Sequence, residues 1–333
     1  MLLKFFKGTG PGVIFMIAVV SALVMMSVFF KHPLASETIH SGSSMPLYKI
    51  IEAFIIPGSL PAMLLSLSIT FTMLFLLVNF NTTIFFISER TFLPALLFVF
   101  LTAIFPEYQV LNPVIPASLF FMIALKRIMA GYHRQGFAYN FFDAGILIST
   151  GSLFYANLIW FGLIILIGII LLRTVSIAEI AIMLLGIITP YLITFGIYYV
   201  LEYEPEALLK IISDNLFIPA ESYSFSRIKI VALIYLAILA IISTGYLLML
   251  QNSKKIRSRK TFSILIWIFV FSLTAYFAVP SVSVEIMWIT AIPVSYILTH
   301  YFIYYKKKII SEIFFLLVLI LVLIIQGFYL YGG

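Results

Sequence analysis

Apolar residues run in long blocks from one end of the chain to the other, and polar residues are confined to the gaps between them. The blocks fall at 12–30, 60–80, 91–106, 113–130, 143–156, 158–172, 177–200, 228–250, 262–279, 285–304 and 309–329. A helix needs roughly 20 apolar residues to cross a hydrocarbon core of about 30 Å. The pattern therefore predicts an all-α, polytopic integral membrane protein with eleven transmembrane helices. One stretch is ambiguous. From Gly145 to Leu172 there is no charged residue. At about 1.5 Å per residue these positions span about 42 Å as a single helix. They form either one tilted crossing or a hairpin of two short helices turning near Tyr155-Ala156-Asn157.

The charges flanking the blocks decide between these. A hairpin places Lys4, Lys7, Arg90, Lys126, Arg127, Arg134, Arg173, Lys254, Lys255, Arg257, Arg259, Lys260, Lys306, Lys307 and Lys308 on one face. Only Lys31, Lys49, Lys210, Arg227 and Lys229 fall on the other. The acids divide the opposite way, with Glu89, Asp143, Glu179 and Glu312 on the basic face and the remaining nine across from it. A single crossing splits the basic residues between both faces. Short cytoplasmic loops are rich in Lys and Arg, so the hairpin is the expectation. It places the N-terminus in the cytoplasm and the C-terminus outside.

Two of the expected outer loops, 31–59 and 201–227, are long, and each contains a different pattern. In GSSMPLYKIIEAFIIPG, Ser43 or Ser44 is placed to cap a helix that has Pro46 in its first turn. Leu47, Ile50, Ile51, Phe54 and Ile55 then share one face, with Lys49 and Glu52 off it. In EPEALLKIISDNLFIP, Pro205 opens and Pro219 closes a second such segment, with Leu208, Leu209, Ile212 and Leu216 on its apolar face. Both read as amphipathic helices lying at the membrane interface.

Composition narrows the class. Of 333 residues, 63% are hydrophobic and 10% charged, against about 25% charged in a soluble domain. Everything reads as a single transmembrane domain with no separate soluble domain. Lys4 and Lys7 precede an apolar run too long for a signal peptide, which predicts a retained first helix. The net charge of +7 is accounted for by the loop asymmetry, so no nucleic-acid partner is implied. There is no cysteine, which excludes disulfides and thiolate metal sites.

Candidate chemistry is sparse. Glu37 lies in KHPLASETIH between His32 and His40. A carboxylate beside an imidazole is suited to act as a general base or to bind a divalent cation; a solvated loop acid is the plainer alternative. Lys49, Arg227 and His40 are the outer-loop groups suited to bind a substrate. Asp143 is placed to cap a helix starting at Ala144, and Glu179 to pair with Arg173 across a turn. Glu285 and His300 lie at or inside the ends of one block. An ionisable residue there is a functional candidate, though closeness to Lys306–Lys308 predicts an interfacial His300. Asn81-Thr82-Thr83 matches a glycosylation sequon on the cytoplasmic side of this topology, a chance match. No Walker loop, dinucleotide fingerprint, HExxH, GxSxG or EF-hand is present.

Two stretches carry a resemblance, SERTFLPALLFVFLTAIFPEYQVLNPVIPASLFFMIALKRI and FFDAGILISTGSLFYANLIWFGLIILIGIILLR. Their FDAG and SLFY segments resemble an uncharacterised family of polytopic bacterial inner-membrane proteins, a domain of unknown function. An arginine-led helix, a Pro-containing turn and a Gly-rich hairpin are also similar to the middle of GT-C class glycosyltransferases. That resemblance implies a polyprenyl-phosphate-linked sugar donor at the outer leaflet and a catalytic acid in the first outer loop, a position held here by Glu37 where the class typically has Asp. Cell-envelope biogenesis is the implied setting. A non-catalytic membrane subunit that scaffolds a protein partner, or a small-molecule transporter, stays open beside it.

Overall fold

The computed structural model describes residues 2–31, 44–132, 139–173, 176–220, 223 and 225–331. Every regular element among them is helical. In chain order these are α1 (Leu2–Phe6), α2 (Pro11–Lys31), α3 (Pro46–Phe54), α4 (Leu60–Ile84), α5 (Leu93–Thr102), α6 (Val114–Ala130) and α7 (Asn140–Ser152). There follow α8 (Gly162–Leu172), α9 (Ile177–Val200), α10 (Pro205–Phe217), α11 (Arg227–Met249), α12 (Ile256–Ala278), α13 (Met287–Tyr304) and α14 (Lys308–Tyr331). Six of them are long and apolar enough to cross a membrane: α4, α9, α11, α12, α14, and α13 with the turn that leads into it. The other expected crossings fall on α2 and on shorter helices, among them α5 with 10 residues, α7 with 13 and α8 with 11.

The shortness of α5 has a local cause. The apolar run predicts a helix to residue 106, but the chain leaves the helix at Thr102 and enters a 3₁₀ turn, Pro106–Gln109. Pro106 has no N–H to continue the ladder. The freed carbonyls find side chains instead: Gln109 Nε2 donates to Thr102 O at 2.6 Å, and Gln326 Nε2 of α14 to Ala103 O at 2.9 Å. All ten residues of α5 are buried. A helix that short is satisfied inside protein, since backbone polar groups cannot be left facing lipid.

The centre of the bundle is α13. Of its apolar span 83% is buried inside the protein, against 22–39% for the other five long helices. Those five present wide faces of Ile, Leu and Phe outward, as lipid-facing helices do. Aromatic side chains tie the centre to its neighbours. Tyr296 OH donates to Leu77 O of α4 at 2.6 Å, and Trp288 Nε1 donates to Tyr108 O at 3.1 Å. Phe86 packs edge-on against both Tyr296 and Phe262.

The uncharged stretch is a hairpin. At one end Gly151 of α7 meets Leu158 and the α6 residues Ala117 and Phe120. At the other, Gly131 meets Phe141, and Gly168 of α8 meets Ile128. The chain thus runs up α7, turns through residues 153–161, and returns along α8. Glycine makes the next contact close. A Cβ on Gly145 would stand 2.8 Å from Met183 O, and one on Gly186 only 2.4 Å from Phe142 O. The backbones of α7 and α9 touch where these two residues meet, the small-residue packing usual between membrane helices.

Side-chain contacts sort the loops into two ends. Lys7 lies within electrostatic reach of Glu89, Lys308 and Glu312, Lys254 stands over Tyr304, and Lys260 over Tyr132. Arg127 reaches Asp143 at 3.7 Å and Arg173 pairs with Glu179 at 2.9 Å. These contacting charged residues all belong to the set that the charge pattern put together, and they mark a basic end. The opposite end holds α3, α10, Glu107, Lys229 and Glu285.

Candidate functional site

At the opposite end, α3 and α10 close over the turn of the hairpin. Both begin at a proline, Pro46 and Pro205, where the missing N–H costs nothing. The residue before α3 is Met45, with no side-chain cap, so Ser44 does not play the expected capping part; Ser43 lies outside the described residues. Met45, Leu153 and Ala156 form a small core of their own, covered by Leu47, Tyr191, Ile211, Ile212 and Leu216. Leu47 N–H donates to Leu153 O at 3.0 Å, stitching α3 to the turn. Ser281 Oγ donates to Leu216 O at 2.6 Å and lies 3.0 Å from Asn157 Oδ1, while Asn157 Nδ2 donates to Ser281 O. One polar knot therefore joins α10, the hairpin turn and the entry to α13.

Beneath this cover lies Glu285, 2% exposed. It sits within electrostatic reach of Tyr48 on α3 and of Tyr155 in the turn, which lies beside Asn157 and Ser283. Tyr48 OH donates to Leu111 O at 3.1 Å. Burial first, then the charges of Glu52 and Glu285, push the Tyr48 phenol well above its ordinary range. It is a fixed hydrogen-bond donor at any physiological pH. Sequence reasoning named Glu285 but missed Tyr48, Tyr155, Asn157 and Ser281. Tyr48 follows Pro46 in a run otherwise read for its Leu and Ile positions, and nothing local shows that its hydroxyl turns inward.

Next to this cluster Lys229, in the first turn of α11, pairs with Glu107. It also donates to Tyr223 OH at 2.5 Å and lies over the rings of Tyr223 and Phe105. Burial and then Glu107 raise the Tyr223 phenol. The group ties the segment before α11 to the turn after α5.

Of the predicted site residues, Lys49 on α3 and Arg227 at the start of α11 are both exposed at this end. Glu37 and His40 lie outside the described residues, as does His32. Among the described residues no cluster of three or more His, Asp or Glu is placed to hold a metal ion.

The basic end corrects one expectation. Asp143 is not the cap of a helix beginning at Ala144. The helix starts at Asn140, which puts Asp143 in its first turn, facing Arg127. Glu89-Arg90 precede α5; the turn they occupy is held by Asn81, whose Nδ2 donates to Glu89 O and whose Oδ1 accepts from Ile87 N–H. That side chain is buried and engaged on both sides, so the sequon is closed to modification in the folded protein. His300 is fully buried in α13, where Lys254 from the segment between α11 and α12 stands over the neighbouring rings of Tyr304 and Phe262. The Arg173–Glu179 pair is present as expected.

A bundle of long lipid-compatible helices around a buried central one is the architecture of a polytopic membrane protein. Over residues 44–331 the chain matches a family of unknown function, DUF6427, and it belongs to that family. No curated protein and no solved structure matches it.

Proposed function

We propose that the protein spans a bacterial cytoplasmic membrane eleven times, N-terminus inside and C-terminus outside, and handles a lipid-linked substrate at the outer leaflet. The observation that supports this is the meeting of α3 and α10 over one buried acid–tyrosine cluster. Two amphipathic helices at one end make a boundary between headgroups and a protein interior. The exposed cations Lys49 and Arg227 lie at that same end.

In this reading the substrate is a polyprenyl-phosphate-linked sugar, with Lys49 and Arg227 facing its phosphate by charge-assisted hydrogen bonds. Glu37, shortly before α3 in sequence, takes the proton of an acceptor hydroxyl, and His40 is a second group for the substrate. The acceptor oxygen bonds to the sugar carbon as its bond to phosphate breaks, and the lipid phosphate leaves with the electron pair. Tyr48, through its hydrogen bond to Leu111 O, positions α3 over the site. The setting is cell-envelope biogenesis.

Lipids retained by the protein in mild detergent, compared by mass spectrometry with those on an unrelated membrane protein, test the reading. Enrichment of polyprenyl phosphate or its glycosylated forms is the expected result, and Glu37→Gln then abolishes product at unchanged abundance. Bulk phospholipid alone points to a non-catalytic membrane subunit and its protein partner.

A further inference from the structure

The basic end contains a second place where polar groups converge, independent of the site above. His300 is fully buried and neither ring nitrogen has a hydrogen-bond partner. Its ring lies 4.8 Å from that of Tyr304 and 5.1 Å from that of Phe262, with Tyr246 at 6.3 Å. Over the same two nearest rings stands the ammonium of Lys254, 4.7 Å from the Tyr304 centroid and 5.5 Å from that of Phe262. An imidazole and an ammonium thus share one aromatic box.

Beyond these ring contacts, neither group has a hydrogen-bond acceptor or a carboxylate partner among the described residues. No carboxylate among the described residues pairs with Lys254. Half-burial lowers its affinity for a proton, with no acid to offset this. One acid, Glu89, lies within electrostatic reach of Tyr304 and is also within reach of Lys7. Lys255 and Arg257, next to Lys254 in sequence, are exposed, so the approach to the box is positively charged.

We propose that the Lys254–His300 box is a binding site for a phosphate group, either of a lipid headgroup or of a soluble phosphate. The ammonium and one imidazole N–H are donors without an acceptor, and a phosphate monoester supplies several acceptor oxygens with negative charge. The rings wall the site against water and strengthen the attraction. The position suits a lipid phosphate, since Lys254 stands where the helices α11 and α12 emerge from the bundle.

The test uses the full chain in nanodiscs of phosphatidylcholine with a minority of phosphatidic acid. Native mass spectrometry reads the lipid retained, and nitrogen NMR of labelled histidine reads the His300 ring, assigned by its loss in His300→Gln. The expected result is retention of phosphatidic acid over phosphatidylcholine by about tenfold, the scale of one or two charged hydrogen bonds. Lys254→Gln removes that preference, while Lys254→Arg and the neighbouring Lys255→Gln keep it. A His300 signal that moves with inorganic phosphate, with no enrichment of phosphatidic acid, assigns the box to a soluble phosphate. Equal retention in wild type and a well-folded Lys254→Gln, with a His300 signal indifferent to both probes, overturns the proposal.

Discussion

A single methyl group is a sensitive probe of how α7 and α9 meet. At Gly186 it would stand 2.4 Å from a backbone oxygen, and backbone cannot swing aside as a side chain can. Gly186→Ala should therefore cost about 1–3 kcal/mol through forced separation of the two helices. Gly196, on the same helix, has open space around it; Gly196→Ala should be neutral or slightly stabilising, since alanine is the better helix former. Thermal unfolding of both variants in one detergent checks the pair, and equal losses would mean that close packing is not the cause. Residue-scale reading succeeded where partners are close in sequence, as for Arg173 and Glu179. It did not reach the burial of His300, near which Lys254 comes from a different loop, and it failed at Asp143, where the helix begins four residues earlier than its polar side chain suggested.

The two amphipathic helices were legible because each combines a starting proline with apolar residues at helical spacing, a pattern that needs no tertiary information. What they cover was not legible. Leu47 and Leu216 meet Met45 and the hairpin turn only because distant segments converge, and hydropathy carries no record of that convergence. The short α5 was misjudged for a related reason: the apolar run continues past the point where the backbone leaves the helix. At this scale Ser281 is the informative residue, since one hydroxyl engages both Asn157 and the C-terminal end of α10. Ser281→Ala should loosen α10 by about 1 kcal/mol. Hydrogen exchange would then rise about fivefold in α10 amides and stay unchanged in α9; a uniform rise across the bundle would show that the bond holds no particular element.

For the whole molecule, the charge asymmetry along the sequence corresponds to the two ends found in three dimensions, and the sidedness it implies can be measured directly. The chain has no cysteine, so single cysteines can be placed without a background. Asn252→Cys and Tyr203→Cys substitute exposed positions at the two ends. In intact cells an impermeant maleimide should label the second and spare the first, and permeabilisation should expose both. Labelling of Asn252→Cys alone in intact cells would invert the orientation proposed above, and with it the leaflet assigned to α3 and α10.

The burial of α13 bears on how the protein is made. A helix that interrupts its apolar surface with Pro293, Ser295, Thr299 and His300 is a poor candidate to leave the insertion machinery for bare lipid, where each polar group is costly. Its partners α4, α5, α11 and α12 all precede it in the chain and are synthesised first. Translation order thus delivers the least lipid-compatible of these segments after those neighbours, into a berth that they have already built.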